Sequence, residues 1–577
     1  MLPKIGNRKS KWRSVIITAS CVAGIVIGGS WLGIFQKGEW ATLDGFFRLR
    51  ADEEKDERIV IVTISEEDIK RLNTWPIPDG IMAEIIRKIN EQNPKAIGLD
   101  IYRDLKVEPG NEKLIEVFET SPNIIGVEKA VGEKVAPPPT LQAKNQVAIS
   151  DLIQDEDGNV RRSIVSISTE DGAVKLGLGA TVALMYLQKQ GINPEQVEPP
   201  FPISLWHKEK VIKVGEAVFI PFKKNDGGYV GADSGGYQTL LNFRGGEASF
   251  EQVSMWDVLD NKVTPEKIRD RLVFIGSTAE SLKDFFYTPF GNDPGVVVHA
   301  NITSQILSAA IDGRPLLRVV PDALEWLWII LWSLVGGITS KKLLEANKLR
   351  GSVSLGVITL GMVIVGGSLV YVSYLVFVSG WWLPVLAPMV ATYGSAVAAI
   401  AYKAQDLQLI ATVDDLTEVA NRRYFDEYLD RQWSQQGWRE NYLSVILCNI
   451  DKFQEYKEKN GNLAAEQCLQ KIAKALRDSV RSQDLVARYE SEDFVVILPA
   501  TNPKNAFQIA QKIRFMVKQL QIPQDKEKTS FVSISCGVGS TIPTSQMNTK
   551  ALLAIADDAL YQAKEYGRDR VILRFLT

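Results

Sequence analysis

A mixed α/β chain anchored by four transmembrane helices is what the sequence predicts. Three observations carry it: long runs without any charge, short β-branched runs alternating with amphipathic ones on both sides of them, and Lys and Arg gathered beside the uncharged runs. At 577 residues and 45% hydrophobic content, the chain exceeds one core and divides into two or three folding units. A net charge of -3 offers no basic field for a phosphate backbone, so nucleic acid is not an expected partner.

The spans come first. Residues 14–35 hold no charge and are long enough, at about 1.5 Å per residue, to cross a hydrocarbon layer of about 30 Å. No charge occurs between Gly351 and Tyr402, about twice the length of one crossing, so two spans (352–378 and 381–402) fold back near Ser379 and Gly380. Residues 323–340 form the fourth; its run from Leu324 to Thr339 carries three tryptophans and only Glu325 as a charge. A cleaved signal peptide is the alternative for the first run, against which stand its length and the lack of a small-x-small cleavage site.

Basic flanks give the orientation. Lys4, Arg8, Lys9, Lys11 and Arg13 precede the first span, and Lys341, Lys342, Lys348 and Arg350 lie between the second and third. The expected topology has 1–13 in the cytoplasm, 36–320 outside, and 403–577 inside, in a multi-pass protein of the cell (inner) membrane. Cys21 falls in the first span, and Cys448, Cys468 and Cys536 fall in the cytoplasmic part, so no disulfide framework is expected outside.

In the outer segment, residues 58–64, 95–102 and 271–277 read as buried strands, while 81–91 and 298–310 have helical periodicity. The motifs Asp44-Gly-Phe-Phe-Arg48, Trp75-Pro76, Asp155-Glu-Asp-Gly158 with Arg161-Arg162, and Leu241-Asn-Phe-Arg244-Gly245 follow in order. After them come residues 274–279, Asp284, Thr288-Pro289-Phe290 and residues 294–301. Together these resemble the second class of CHASE-type extracellular sensor domains. Asp284, His299, Ser277 and Thr278 are the pocket candidates, because a strand ending in Gly-Ser-Thr exposes backbone N–H groups. The other reading makes them turn and capping positions. No ligand class follows for the extracytoplasmic side.

A polar helix over 403–413 leads into the last segment, 414–577, which alternates helices and strands in an α/β palm-like layout. Asp414-Asp-Leu-Thr417, Asn421-Arg422-Arg423, Asn449-Ile-Asp451-Lys-Phe453, residues 487–494 and residues 558–570 mark it. The segment resembles the GGDEF domain of diguanylate cyclases, which implies condensation of two GTP into cyclic di-GMP, with Mg2+ as cofactor if the site is active. The resemblance also implies a homodimer. Such chemistry needs carboxylates for metal, a backbone that approaches phosphate, and cationic grips.

Several residues depart from that pattern. Asn449 stands where the first metal aspartate is expected, and an amide brings no charge. Glu490 and Ser491 replace the two signature glycines, which suit a primed turn and close phosphate approach. A carboxylate about 4 Å from a phosphate charge costs roughly 1 to 4 kcal/mol. Glu492 keeps the second metal carboxylate, and Asp493 is one methylene shorter than the usual glutamate. Lys457 and Glu466 occupy the base-reading positions. Lys564 and Arg568 match the phosphate grip. Arg481 and Asp484 form an RxxD five residues before the signature, the family's inhibitory site for cyclic di-GMP; the alternative is a plain structural pair. The expectation is a transmembrane sensor whose GGDEF-like domain is catalytically degenerate and binds cyclic di-GMP, with an active cyclase using Glu492 and Asp493 as the alternative.

Overall fold

The computed structural model describes residues 8–169, 172–346, 352–438, 441–524, 530–544 and 546–575. Lys4 of the first basic flank, and Lys348 and Arg350 of the second, lie outside these residues. The chain divides into two compact units, Ser14–Ala399 and a second built chiefly from Ile400 onward.

Two helices are long and apolar enough to cross a membrane, Asp322–Glu345 and Gly356–Val378. A third span results if Val15–Trp31 and Gln36–Leu49, bent by 88° at a short break, are taken together. The break lies inside the expected span 14–35, where Gly33 takes a positive φ of 75° that suits its lack of a side chain. Length and composition thus support two or three of the four expected transmembrane helices. The last of them is cut short because Trp381–Trp382 is extended and pairs with Arg318–Val319, and Pro384 follows before the helix Leu386–Thr412 begins. Its apolar part, Leu386–Tyr402, reaches roughly 25 Å, against the roughly 30 Å of a hydrocarbon core.

The N-terminal unit is built on a six-stranded sheet in the order Glu251–Ser254, Ile59–Ile64, Leu272–Ser277, Ala96–Asp100, Ile124–Glu128, Val147–Ile149. All five pairings are parallel. Parallel strands are covered on both faces, which is why Ile59–Ile64 and Leu272–Ser277 are buried at every position. Helices Asp79–Glu91 and Asn111–Thr120 cover one face through Ile85, Ile86, Leu114 and Phe118. Helices Leu178–Gln188 and Gly295–Ile311 cover the other through Val182, Leu187, Val297 and Ile306. The strands Leu272–Ser277 and Ala96–Asp100 are neighbours, yet the helices that follow them pack on opposite faces.

The motif around Asp155 is a buried ionic network. Arg161 holds Asp44 at 2.9 and 2.7 Å, Asp155 at 3.0 Å and Asp157 at 2.6 Å. Arg162 and the Tyr229 hydroxyl both donate to Asp155 at 2.7 Å. Helix Gln36–Leu49, which carries Asp44, is thereby fastened to the strand Val160–Ser168.

The second unit has a five-stranded sheet in the order Leu485–Arg488, Asp493–Pro499, Leu443–Ile450, Ile534–Thr541, Val571–Phe575. Its pairings are antiparallel except the last. Helices Phe453–Asn460, Asn462–Ser479 and Pro503–Gln519 pack on one face, and Arg422–Trp438 and Thr549–Glu565 on the other. This is the expected palm-like α/β layout.

Candidate nucleotide site and N-terminal cluster

In the second unit, the strand pairing places Asn449 directly opposite Asp493. The Asn449 Nδ2 donates to Asp493 Oδ1 at 2.6 Å. Burial raises the Asp493 carboxyl, and the nearby carboxylates of Glu492 and Glu490 raise it further, while the Asn449 bond and Lys564 pull it down. A cleft of roughly 320 Å³ lies beside this pair, lined in part by Tyr489, Glu490, Asp493 and Asp557.

Residues 489–492 connect the two hairpin strands without a positive φ. The backbone therefore adopts this turn without glycine, contrary to the primed turn expected from the signature. Two bonds from Arg488 to the Ser491 carbonyl, at 3.1 and 2.7 Å, hold the turn, and Arg488 also reaches Asp414 at 3.1 Å. Burial pushes Asp414 up, but the bonds from Thr417 and Arg488 outweigh it and hold its carboxyl below the usual range.

Arg422 is the residue the motif reading missed. Its guanidinium pairs with Glu490 at 2.9 Å and lies 4.5 Å from the centre of the Tyr489 ring. The charge expected to repel a phosphate is thus partly neutralised, although both side chains are more than half exposed and such a pair is worth little. The motif Asn421-Arg422-Arg423 carried the signal as a landmark only.

The base-reading positions are open: Lys457 and Glu466 are exposed, and their side chains make no hydrogen bond or ion pair among the described residues. Arg568 is exposed and Lys564 half-buried. In the RxxD motif, Asp484 Oδ2 accepts from the Arg481 backbone N–H at 2.8 Å, and the Asp484 N–H donates to the Arg481 carbonyl at 3.1 Å. The aspartate thus shapes the turn. The exposed Arg481 guanidinium makes no hydrogen bond or ion pair among the described residues; burial raises the nearby Asp484 carboxyl, and the Arg481 charge pulls it down in part.

In the N-terminal unit, two of the four pocket candidates come together and two do not join them. Ser277 Oγ accepts from the Ala279 N–H at 3.1 Å, and the Thr278 N–H donates to the Ile64 carbonyl at 3.0 Å, so both are held in the turn after their strand. Asp284 and His299 instead share a neighbourhood with Asp100, at the end of the adjacent strand. His299 Nε2 is 3.9 Å from Asp100 Oδ1, beyond hydrogen-bond reach. Asp100 was hidden in sequence inside a strand-like run, where a single polar residue reads as a strand end.

Comparison with known proteins agrees with this division. The CHASE2 domain matches residues 21–338, and the GGDEF domain of diguanylate cyclases matches residues 411–570. The chain is 30% identical over 161 residues to "Diguanylate cyclase DosC" of Escherichia coli (strain K12), covering 28% of this chain and 35% of that protein. It is 32% identical over 182 residues to "Diguanylate cyclase A" of Treponema denticola, covering 31% and 48%. To "Response regulator PleD" of Caulobacter vibrioides it is 34% identical over 165 residues, covering 28% and 36%. The chain thus spans between about a third and a half of the length of these curated relatives. Among solved structures, the coiled coil and GGDEF domain of DgcB from Caulobacter crescentus in complex with c-di-GMP aligns with a TM-score of 0.29 and 23% identity. That alignment covers 32% of this chain and 97% of the other. With more than half of its length matched by one domain and the GGDEF domain following it, the chain belongs to the CHASE2 family as a membrane sensor that carries a C-terminal GGDEF domain.

Proposed function

We propose that this protein is a multi-pass receptor of the cell (inner) membrane whose GGDEF domain is catalytically degenerate and signals by binding cyclic di-GMP and by homodimer contacts. Residues 1–13 and 403–577 are cytoplasmic and 36–320 extracytoplasmic, with spans over 14–35, 323–340, 352–378 and 381–402. The flanking Lys and Arg residues support this topology.

The observation that carries the degenerate reading is the Asn449–Asp493 bond at 2.6 Å. Where a divalent ion needs converging anionic oxygens, one position offers an amide whose N–H group already occupies a carboxylate oxygen. Among the described residues no three His, Cys, Asp or Glu side chains gather as a metal site requires. The donor set does not fit a tightly held Mg2+. Lys457 and Glu466 bring a cation and an anion to positions that would read guanine. Arg481, exposed and with no side-chain hydrogen bond or ion pair among the described residues, is suited to clasp a phosphate and stack on a base.

A second reading, an active cyclase using Glu492 and Asp493, is favoured by Lys564 lying near Asp493 and by Arg422 offsetting Glu490. The full chain in nanodiscs, given GTP with Mg2+ or Mn2+, separates the two. The first reading expects no cyclic di-GMP by chromatography, and calorimetric binding of added cyclic di-GMP that Arg481→Ala abolishes. Turnover would sink it. Absence of binding would leave dimer contacts as the only output.

A further inference from the structure

We propose that the crevice at the carboxyl ends of the strands Ala96–Asp100 and Leu272–Ser277 binds a small primary ammonium group between Asp100 and Asp284, beside His299. The proposal rests on the reading of the CHASE2 domain as the sensing part, and it names the chemistry of what is sensed.

The fold sets the place. In open parallel sheets, ligands bind outside the carboxyl ends of neighbouring strands whose connections leave toward opposite faces. Leu272–Ser277 and Ala96–Asp100 are such a pair: the helix after the first packs with one core cluster and the helix after the second with the other. Asp100 ends its strand in register with Gly276. The Gly295 N–H donates to the Asp284 carbonyl at 3.0 Å, which seats Asp284 at the start of helix Gly295–Ile311. A side chain on Gly295 would meet the Asp284 carboxylate within 3.0 Å, and one on Gly276 would meet Val296 at 2.5 Å. Both glycines let the strand end, the helix start and the Asp284 carboxylate approach one another closely.

The crevice is short of donors. Neither the Asp100 nor the Asp284 carboxylate accepts a hydrogen bond among the described residues, and neither has a Lys or Arg partner. His299 is 2% exposed, and its Nδ1 has no partner. Its surroundings are acceptors: the carboxylates of Asp100 and Asp284 and the Ser150 carbonyl. A neutral imidazole supplies one N–H to them all. Burial, with nothing to offset it at Asp100, pushes the carboxyls of Asp100 and Asp284 up to about 7 and His299 down to about 4. Native structures rarely leave such groups unpaired, and each instance calls for a partner.

The chemistry of the walls selects the ligand. An ammonium supplies a positive charge and several N–H donors, the two things missing. Tyr102 stands beside the same groups: its hydroxyl is 2.8 Å from Ser150 Oγ. Burial raises its phenol, as do the charges of Asp100, Asp151 and Asp284. An aromatic ring beside carboxylates suits an organic cation. A divalent metal is disfavoured, since no three of these side chains converge as ligands among the described residues. Asp100 keeps 8% of its side-chain surface and Asp284 is partly exposed, which limits access to a small head group.

The test uses the full chain in nanodiscs. Thermal shift and calorimetry are run with methylammonium, ethanolamine and putrescine, with tetramethylammonium as a cation lacking N–H donors, and with Ca2+, Mg2+ and Zn2+. The proposal expects saturable binding of at least one primary amine, none of tetramethylammonium, and binding weakened about tenfold or more in both Asp100→Asn and Asp284→Asn. His299→Gln provides a further variant if either Asn protein fails to fold. No binding by any primary amine overturns the proposal, as does binding that both Asn variants retain, or saturable binding of a metal alone. Amine binding that leaves cyclic di-GMP affinity and dimer cross-linking unchanged keeps the site and counts against the receptor reading instead.

Discussion

Asn449 holds Asp493 by a 2.6 Å hydrogen bond, so restoring a carboxylate at that position does two things. Asn449→Asp removes the donor and sets two carboxylates against each other, which costs about 1–3 kcal/mol. It also rebuilds a divalent site. The melting temperature should fall in EDTA and recover in Mn2+, and calorimetry should find Mn2+ binding that the natural chain lacks; equal melting in both buffers would count against a lost metal ligand. At the other end of the chain, Asp100 and Asp284 predict a pH dependence. Burial raises both carboxyls to about 7, whereas in an unfolded chain they titrate near about 4. The folded state therefore keeps protons that the unfolded state releases, and stability is full below about pH 4 and lost as the pH rises through about 7. His299, held down to about 4 by burial, opposes this up to about pH 6.5, so the loss is steepest just above that. Tyr102, which flanks the cluster and whose phenol burial raises, stays neutral over this range. Thermal melts from pH 5 to 8 without added amine should show the decline, and Asp100→Asn should flatten it. Sequence gave away Asp284 and His299, since each sits in a motif. Asp100 and Arg422 acquire their meaning only from register and turn geometry, which bring a strand end beside a helix start and a helix start beside a hairpin.

Elements were legible where their periodicity had one cause. The runs at 58–64, 95–102 and 271–277 are apolar through most of their length because parallel strands are buried twice, and all three fall on strands of the central sheet. The membrane helices were harder, because composition bounds the length of a span and says nothing of its path. Gly33 turns the chain inside one uncharged run, and the pairing of Trp381–Trp382 with Arg318–Val319 removes the first residues of another from its helix. The Asp44 and Asp155 motifs show the reverse case, in which local strings far apart in sequence form one network. Arg161 joins three carboxylates and is 2% exposed. Arg161→Met leaves the Asp44 carboxylate buried without its ion-pair partner and takes one partner each from Asp155 and Asp157, for a loss of about 3–5 kcal/mol, readable as a lower midpoint in chemical denaturation. A loss under about 1 kcal/mol would place the network among the exposed pairs that contribute little.

For the whole molecule, the question is how an event in the CHASE2 domain reaches the GGDEF domain. Glu39 gives a concrete route. It lies on helix Gln36–Leu49, 2% exposed, and its carboxylate accepts from the Val385 N–H at 2.7 Å and the Ala387 N–H at 2.9 Å. These N–H groups open the helix Leu386–Thr412. A carboxylate at a helix N-terminus satisfies otherwise orphaned donors and complements the helix dipole. The same helix Gln36–Leu49 is fastened by Asp44 to the strand Val160–Ser168, which belongs to a separate four-stranded sheet, and to the apolar helix Ser352–Val378 by Phe47, whose ring lies 5.0 Å from that of Phe377. A displacement of that strand would reach, through helix Gln36–Leu49, the start of a helix that runs on to Thr412. Glu39→Gln removes the charge and replaces one acceptor by a donor that faces an N–H group, at a cost of about 1–3 kcal/mol. The consequence distinctive of coupling is separate from that cost. In Glu39→Gln, amine binding to the CHASE2 domain should persist, while its effect on cysteine cross-linking between subunits along residues 403–413 should disappear. If the variant transmits the change as the natural chain does, the cap is only structural, and the signal must pass instead through the helices Asp322–Ala346 and Ser352–Val378.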